Sequence, residues 1–385
     1  MSLRRPALAL SLAACFCAAP VLHAKEDPGP ARVPSPSAAK PIDLAICLDT
    51  SGSMTGLIDA TRRKLWQVVS DLATAKPAPV LRVALLTFGS PGNDEAGHVV
   101  VQTDLTTDLD LVSERLFALK TVGGEEYVGR VVQSALDRLS WARSDAARIL
   151  FVAGNESADQ DRVAPFRRVV ARAAELGIRV NSIYCGGADD GEAGGWREVA
   201  AIGRGRFANI DQNDAVVAVA TPFDERLAAL SGRLNETYVR YGDLGRAGGA
   251  RQSEQDANAA KAPGAAADRA AAKATGLYRN SAWDLVDRSE EAGFDLATVD
   301  AKDLPEEMRA MSLEQRRAHL EKKRAERKAV QAEILDLDRK RADYVKAEVE
   351  ARGLDVSKRI DAALLEAIRA QAAEKGFRFE ASGAK

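Results

Sequence analysis

Between residues 42 and 241 short β-rich runs alternate with helical patterns, and this alternation limits the fold more than any other feature of the chain. The runs fall at 42–48, 81–88, 99–105, 148–153, 179–185 and 207–210, with helical patterns between them at 57–75, 128–139, 163–176 and 196–202. Repeated strand, helix, strand order predicts an α/β fold with a doubly wound, mainly parallel sheet covered on both faces. The stretches Leu44-Ala45-Ile46-Cys47-Leu48 and Ile149-Leu150-Phe151-Val152 are apolar throughout, as central strands buried on both sides require. Phe223, Leu227, Leu230, Leu234, Tyr238 and Tyr241 recur at spacings of three and four and supply one further apolar stripe to close the domain.

The flanks have a different character. Residues 1–24 have the layout of an export signal: Arg4 and Arg5, an apolar stretch over 7–19, then Ala24 before Lys25. Cleavage there predicts a periplasmic or secreted product. Leu12-Ala13-Ala14-Cys15 gives the alternative, a lipoprotein signal, in which Cys15 is lipidated and tethers the chain to the envelope membrane. The apolar run is too short, and too soon broken by Pro20, for a span of about 20 residues. Residues 25–41 are rich in Pro, Ser and Ala and read as an extended spacer.

Beyond the sheet domain, placed at 42–242, residues 243–276 are Ala- and Gly-rich with almost no large apolar side chain. Such a segment buries little and is expected to be a linker. Order resumes in a helical C-terminal region, 277–385, whose stretch 306–352 lacks Pro and Gly and is charged and helix-favouring. A helix of that length extends roughly 70 Å. Its apolar residues Leu313, Leu320, Val330, Ile334, Leu337, Tyr344 and Val349 are sparse, and Arg324 and Arg327 interrupt any a/d seam. Two readings stand: self-association through a coiled coil, or a solvated helix resting one end on a neighbour.

The residues that carry chemistry begin at the carboxyl end of the first run, Asp49-Thr50-Ser51-Gly52-Ser53. Open parallel sheets bind ligands outside the carboxyl ends of their strands. One carboxylate and two hydroxyls are hard oxygen donors suited to Mg²⁺, Ca²⁺ or Mn²⁺. Alone, such a tripeptide pattern more often caps a helix. Its position after an apolar strand, inside this alternating architecture, favours a cation site.

Here the chain resembles the von Willebrand factor A family, a Rossmann-like fold whose metal-ion-dependent adhesion site opens with D-x-S-x-S; the resemblance covers residues 41–242. It implies that a Thr from a second loop and an Asp after a later central strand complete the site, and that a partner's carboxylate or similar oxygen closes it. The chain departs from that pattern twice. The second loop, 121–127, places Glu125 where the family has Thr, followed by Glu126; after the run at 148–153, Gly154-Asn155-Glu156 puts Gly154 where the Asp is expected. A carboxylate is lost on one loop and gained on the other, so Asp49, Ser51, Ser53, Glu125, Glu126, Asn155 and Glu156 form the candidate donor set. A bound ion already neutralised by protein carboxylates attracts an external acid less strongly.

Other chemistries find little material. Beyond the signal the only histidines are His98 and His319, which leaves no catalytic triad or zinc site, and no phosphate-binding fingerprint follows any strand. With 54 Lys+Arg against 56 Asp+Glu and 5% aromatics, neither a basic footprint nor a base-stacking surface for nucleic acid is present. Cys47 and Cys185 lie on strands that the family's order separates by one, too far apart to bridge, so two unbridged thiols are expected. The sequence therefore predicts an exported, non-enzymatic protein-binding module of bacterial type. The alternative is a metal-independent envelope scaffold that binds through its long C-terminal helix.

Overall fold

The computed structural model describes residues 40–90, 98–209, 219–262, 264–353 and 360–379. The export signal, with Cys15 and Cys17, and all but the end of the Pro-rich spacer lie outside the described residues.

The first apolar run is strand β1 (Pro41–Asp49), followed by a short 3₁₀ turn (Gly52–Met54), helix α1 (Thr55–Leu72), the two-residue strand β2 (Ala75–Lys76) and β3 (Val80–Phe88). Next come β4 (Val100–Thr106), α2 (Leu109–Ala118), α3 (Val128–Arg138) and β5 (Ala147–Gly154). The domain continues with α4 (Phe166–Glu175), β6 (Arg179–Tyr184), α5 (Ala193–Ile202) and β7 (Arg204–Asn209). The main sheet has the order β4-β3-β1-β5-β6-β7, parallel except for the antiparallel edge strand β4. This is the mixed, mostly parallel, helix-covered sheet that the alternation predicts.

Period two along β1 explains why both faces fill. Ile42, Leu44 and Leu48 enter one core with Leu57, Leu65, Trp66 and Val69 of α1; Ala45 and Cys47 enter the other with Val128, Val131 and Val132 of α3 and Trp196 of α5. The register sets Asp49 beside Phe88 and Leu48 beside Ala153, so the carboxyl ends of β1, β3 and β5 finish level.

The described residues form one compact unit, and the segment expected to be a linker is one of its packed layers. After α6 (Asp224–Asn235), residues 243–276 fold into α7 (Leu244–Ala259) and α8 (Ala265–Lys273). The expectation counted only large apolar side chains, whereas burial here proceeds by two other routes. Small residues let backbones approach closely: a Cβ added at Gly248 would sit 2.5 Å from the Trp283 indole, and Ala267, Ala270, Ala271 and Ala272 are buried. Charged residues are buried with partners, Arg269 on Asp110 and Asp256, and Lys273 on Asp256.

The short helices α9 (Leu285–Arg288) and α10 (Glu306–Arg309) precede α11 (Leu313–Ala351), which begins at a capping box between Ser312 and Gln315. At 39 residues α11 is about 58 Å long. Leu320, Val330 and Ile334 face the protein, and Arg327, expected to break a seam, is buried. Its guanidinium binds Asp284 and Asp287 at 2.7 and 2.9 Å and donates to the Thr237 hydroxyl and carbonyl. The chain then forms α12 (Ile360–Ala373) and β8 (Arg378–Phe379), which pairs antiparallel with β2.

Candidate functional site

Three loops meet where β1, β3 and β5 end. The β1 loop is held by Thr50, whose amide and hydroxyl both donate to the Phe88 carbonyl at 2.8 Å. The loop between α2 and α3 joins it through the Val122 amide, which donates to the Thr50 carbonyl at 2.9 Å. After β5, the Glu156 amide donates to Glu126 Oε2 at 3.3 Å and Asn155 Nδ2 donates to Ser53 Oγ at 2.9 Å, closing the ring of loops.

Asp49 lies at the bottom of this ring, fully buried. Its Oδ1 accepts from the Ser51 amide at 2.7 Å and its Oδ2 from the Ser51 hydroxyl at 3.0 Å; Ser51 Oγ is 3.4 Å from Ser53 Oγ. Gly89, with φ at +82°, leaves the room for this carboxylate, since a Cβ there would lie 2.3 Å from Asp49 Oδ1. Neither the 3₁₀ turn nor α1 receives a side-chain cap, so Asp49, Ser51 and Ser53 are not engaged as helix caps.

The buried Glu126 carboxyl, 2% exposed, is in hydrogen-bond contact with that of Asp49. Burial first, then the hydrogen bond to Glu126 and its negative charge, push Asp49 up to about 9. At neutral pH the pair therefore holds a proton in place of a second negative charge.

The other sequence-predicted donors divide. Ser51, Ser53 and Asn155 join Asp49 and Glu126. Asn155 Oδ1, on the amide that reaches Ser53, is buried without a hydrogen-bond partner. Glu125 and Glu156 are exposed on the rim, where Glu125 accepts from the Tyr127 hydroxyl and Glu156 accepts from Gln160 Nε2 at 2.8 Å. Sequence position had pointed to Glu125, the family's Thr position, with Glu126 beside it; the chain direction just before α3 turns Glu126 inward instead.

One residue had no sequence signal. Gly154 stands where the resemblance expects Asp, and a Cβ there would lie 3.0 Å from Trp196 Cη2 and 3.1 Å from Cζ2. Trp196 is reached from forty-two positions along the chain, so local pattern could not place it. Cys47 on β1 and Cys185 just after β6 are buried and not joined in a disulfide, with β5 between the two strands. Burial pushes both thiols up; Asp49 and Glu126 add to the effect on Cys185.

The residues fit a hard divalent cation: two touching carboxyls, two aligned hydroxyls and an amide oxygen without a partner are an all-oxygen donor set. Among the described residues no group of three or more His, Cys, Asp or Glu is placed to hold a metal. An ion here would thus depend on hydroxyl and amide oxygens beside the two acids.

Residues 43–215 match the family model of the von Willebrand factor type A domain, and the chain carries a domain of that type. Such domains are non-catalytic adhesion and interaction modules. Among solved structures, a von Willebrand factor type A protein from Catenulispora acidiphila is 18% identical at a TM-score of 0.36, over 45% of this chain and 39% of that one. The SpRpn10 VWA domain is 13% identical at 0.36, over 46% of this chain and 90% of that one. Proximal thread matrix protein 1 from the mussel byssus, with a zinc-occupied MIDAS motif, is 12% identical at 0.35, over 46% of this chain and 43% of that one. This chain thus spans less than half the length of the first and third. No curated protein matches it.

Proposed function

We propose that this chain is a binding protein whose type A domain engages a protein partner through a divalent cation, Mg²⁺, Ca²⁺ or Mn²⁺, held by Asp49, Ser51, Ser53, Glu126 and Asn155. The observation that carries this reading is the buried Asp49–Glu126 contact at the carboxyl edge of the sheet, two acids facing each other among hydroxyl and amide oxygens. Two acids held together so that the pair keeps a proton favour a cation in that proton's place. When bound, the ion supplies a coordination position for an oxygen of the partner.

The rest is the work of this chain. Asp49 and Glu126 together neutralise a doubly charged ion, so the partner oxygen best matched to it is a neutral carbonyl, amide or hydroxyl. Gly52 and Ser53 are exposed and leave that approach open from solvent. The layout of residues 1–24 supports export, with the periplasm or extracellular space as the place of action and an envelope anchor if Cys15 is lipidated.

Isothermal titration of each of the three ions against the wild type and Asp49→Ala tests the reading. Saturable uptake of at least one ion by the wild type and none by the variant is expected; no uptake by the wild type ends it. A pull-down from envelope extract with and without EDTA then asks whether a partner depends on the ion. The second reading, a metal-independent scaffold, draws on α11, where Leu335 and Tyr344 are exposed on a charged 39-residue helix. A partner retained in EDTA and by Asp49→Ala supports it.

A further inference from the structure

Position 154 lies at the floor of the site. A Cβ placed there would be 3.4 Å from the Asp49 Cβ, so a carboxylate at this position would enter the same space as that of Asp49. Its way is blocked by the outer ring of Trp196, at 3.0 and 3.1 Å. At these distances the indole has to give by a few tenths of an ångström.

The indole is fixed from several sides. Trp196 is fully buried, its Nε1 donates to the Glu156 carbonyl at 2.7 Å, its own carbonyl accepts from the Ser182 hydroxyl at 2.6 Å, and its ring lies 6.2 Å from that of Tyr184. Displacing it strains the bond to the Glu156 carbonyl, on the loop that also ties to Glu126. Close-packed interiors transmit such a demand rather than absorb it.

Glu126 reaches the Asp49 carboxylate from the second loop. We infer that Trp196 is a positioning residue that excludes a carboxylate from the end of β5, so that the second anionic donor of the site is Glu126. This rests on the cation reading above. Two acids can share one divalent ion, whereas a third in the same buried space adds a charge the ion cannot neutralise. The strand-end acid and Glu126 are therefore alternatives, and Trp196 decides between them.

The inference is tested with Mn²⁺ alone, by titration followed by electron paramagnetic resonance, on four proteins: the wild type, Glu126→Gln, Glu126→Gln/Gly154→Asp, and that pair combined with Trp196→Phe. Phenylalanine keeps an aromatic anchor but is too short to reach where Cη2 and Cζ2 lie. Loss of Glu126 should weaken Mn²⁺ binding by about tenfold or more, because affinity follows the charge count of the ligands. Adding Asp at 154 with Trp196 in place should restore nothing, and restoration should appear only when Trp196→Phe is added. A Glu126→Gln protein that binds as tightly as the wild type overturns the inference and leaves the cation reading standing. So does recovery in the Glu126→Gln/Gly154→Asp protein. A wild type that takes up no Mn²⁺, Mg²⁺ or Ca²⁺ defeats the cation reading itself, and this inference with it.

A second measurement does not depend on the ion. In EDTA, urea unfolding of Gly154→Asp, Trp196→Phe and the double variant forms a cycle. Steric exclusion predicts that the double variant is more stable than the sum of the single effects. Strict additivity overturns the exclusion even where the folded yield of the triple variant is poor.

Discussion

Where α2, α7 and α8 meet, a buried and a half-buried acid are matched by two cations: Asp110 and Asp256 are bound by Arg269 at 2.7 and 2.6 Å, and Asp256 also by Lys273 at 2.9 Å. Beneath α11, Asp284 and Asp287 share one cation, Arg327. At the carboxyl edge of the sheet, Asp49 and Glu126 have each other, and among the described residues no Lys or Arg pairs with them. The first arrangement completes its own electrostatics and holds helices together. The last stays incomplete within the chain, which is the condition under which an external cation gains most.

The largest effect should come from breaking the complete cluster. Arg269→Met leaves the buried Asp110 without its cation and Asp256 with one fewer, and removing one partner of a buried ion pair costs about 3 to 5 kcal/mol. Urea unfolding of the variant measures this. A loss well under 1 kcal/mol would show that the α7–α8 layer does not depend on its ion pairs and that small-residue packing alone holds it.

The incomplete cluster should respond to ions in the opposite direction. Wild type in Mg²⁺ or another accepted cation at one hundred times its dissociation constant should gain about 2.7 kcal/mol. Asp49→Ala should gain nothing. Without ions, Glu126→Gln removes the neighbouring acid that helps to force a proton onto Asp49, so the variant in EDTA is expected to be more stable than the wild type by about 1 kcal/mol. If Glu126→Gln is instead markedly less stable, Glu126 is a structural acid and the contrast between the two clusters fails.

These clusters also mark how far the sequence could be read. The sheet was legible because its strands are apolar runs and its helices repeat every three or four residues, signals that survive in one dimension. The edge where the loops meet was legible through Asp49, Ser51 and Ser53, which lie within five positions of one another. Choosing Glu126 over Glu125 was not, because neighbouring residues differ only in the direction the chain turns them before α3. The α7–α8 layer was hidden for another reason. Gln252, Arg269 and Lys273 look like linker residues until their partners are known, and Asp110 is 159 positions from Arg269. Trp196 was hidden in the same way, as its effect is exerted on Gly154 across the sheet end.

The two clusters that contain a cation should also differ in the sign of their pH dependence. Burial pushes Asp256 up, but the charges of Lys273 and Arg269 outweigh it and hold the carboxyl below its ordinary value. Its native form therefore binds fewer protons than the unfolded chain near that value, and the stability it contributes is lost as pH falls through the folded pKa. Asp287 runs the other way: burial, then the charge of Asp284, push it up to about 6 against the pull of Arg327. Between the ordinary value of 3.8 and about 6 the native state binds the extra proton, so this group's contribution falls as pH rises, by up to about 1.4 kcal/mol per unit. Asp287→Asn should flatten the stability profile over that window, and Asp256→Asn should change it only below the window. Urea midpoints at half-unit steps from pH 3 to pH 7 separate the two. A wild-type and Asp287→Asn pair with parallel profiles would mean that Arg327 neutralises both acids, placing that cluster with the complete one.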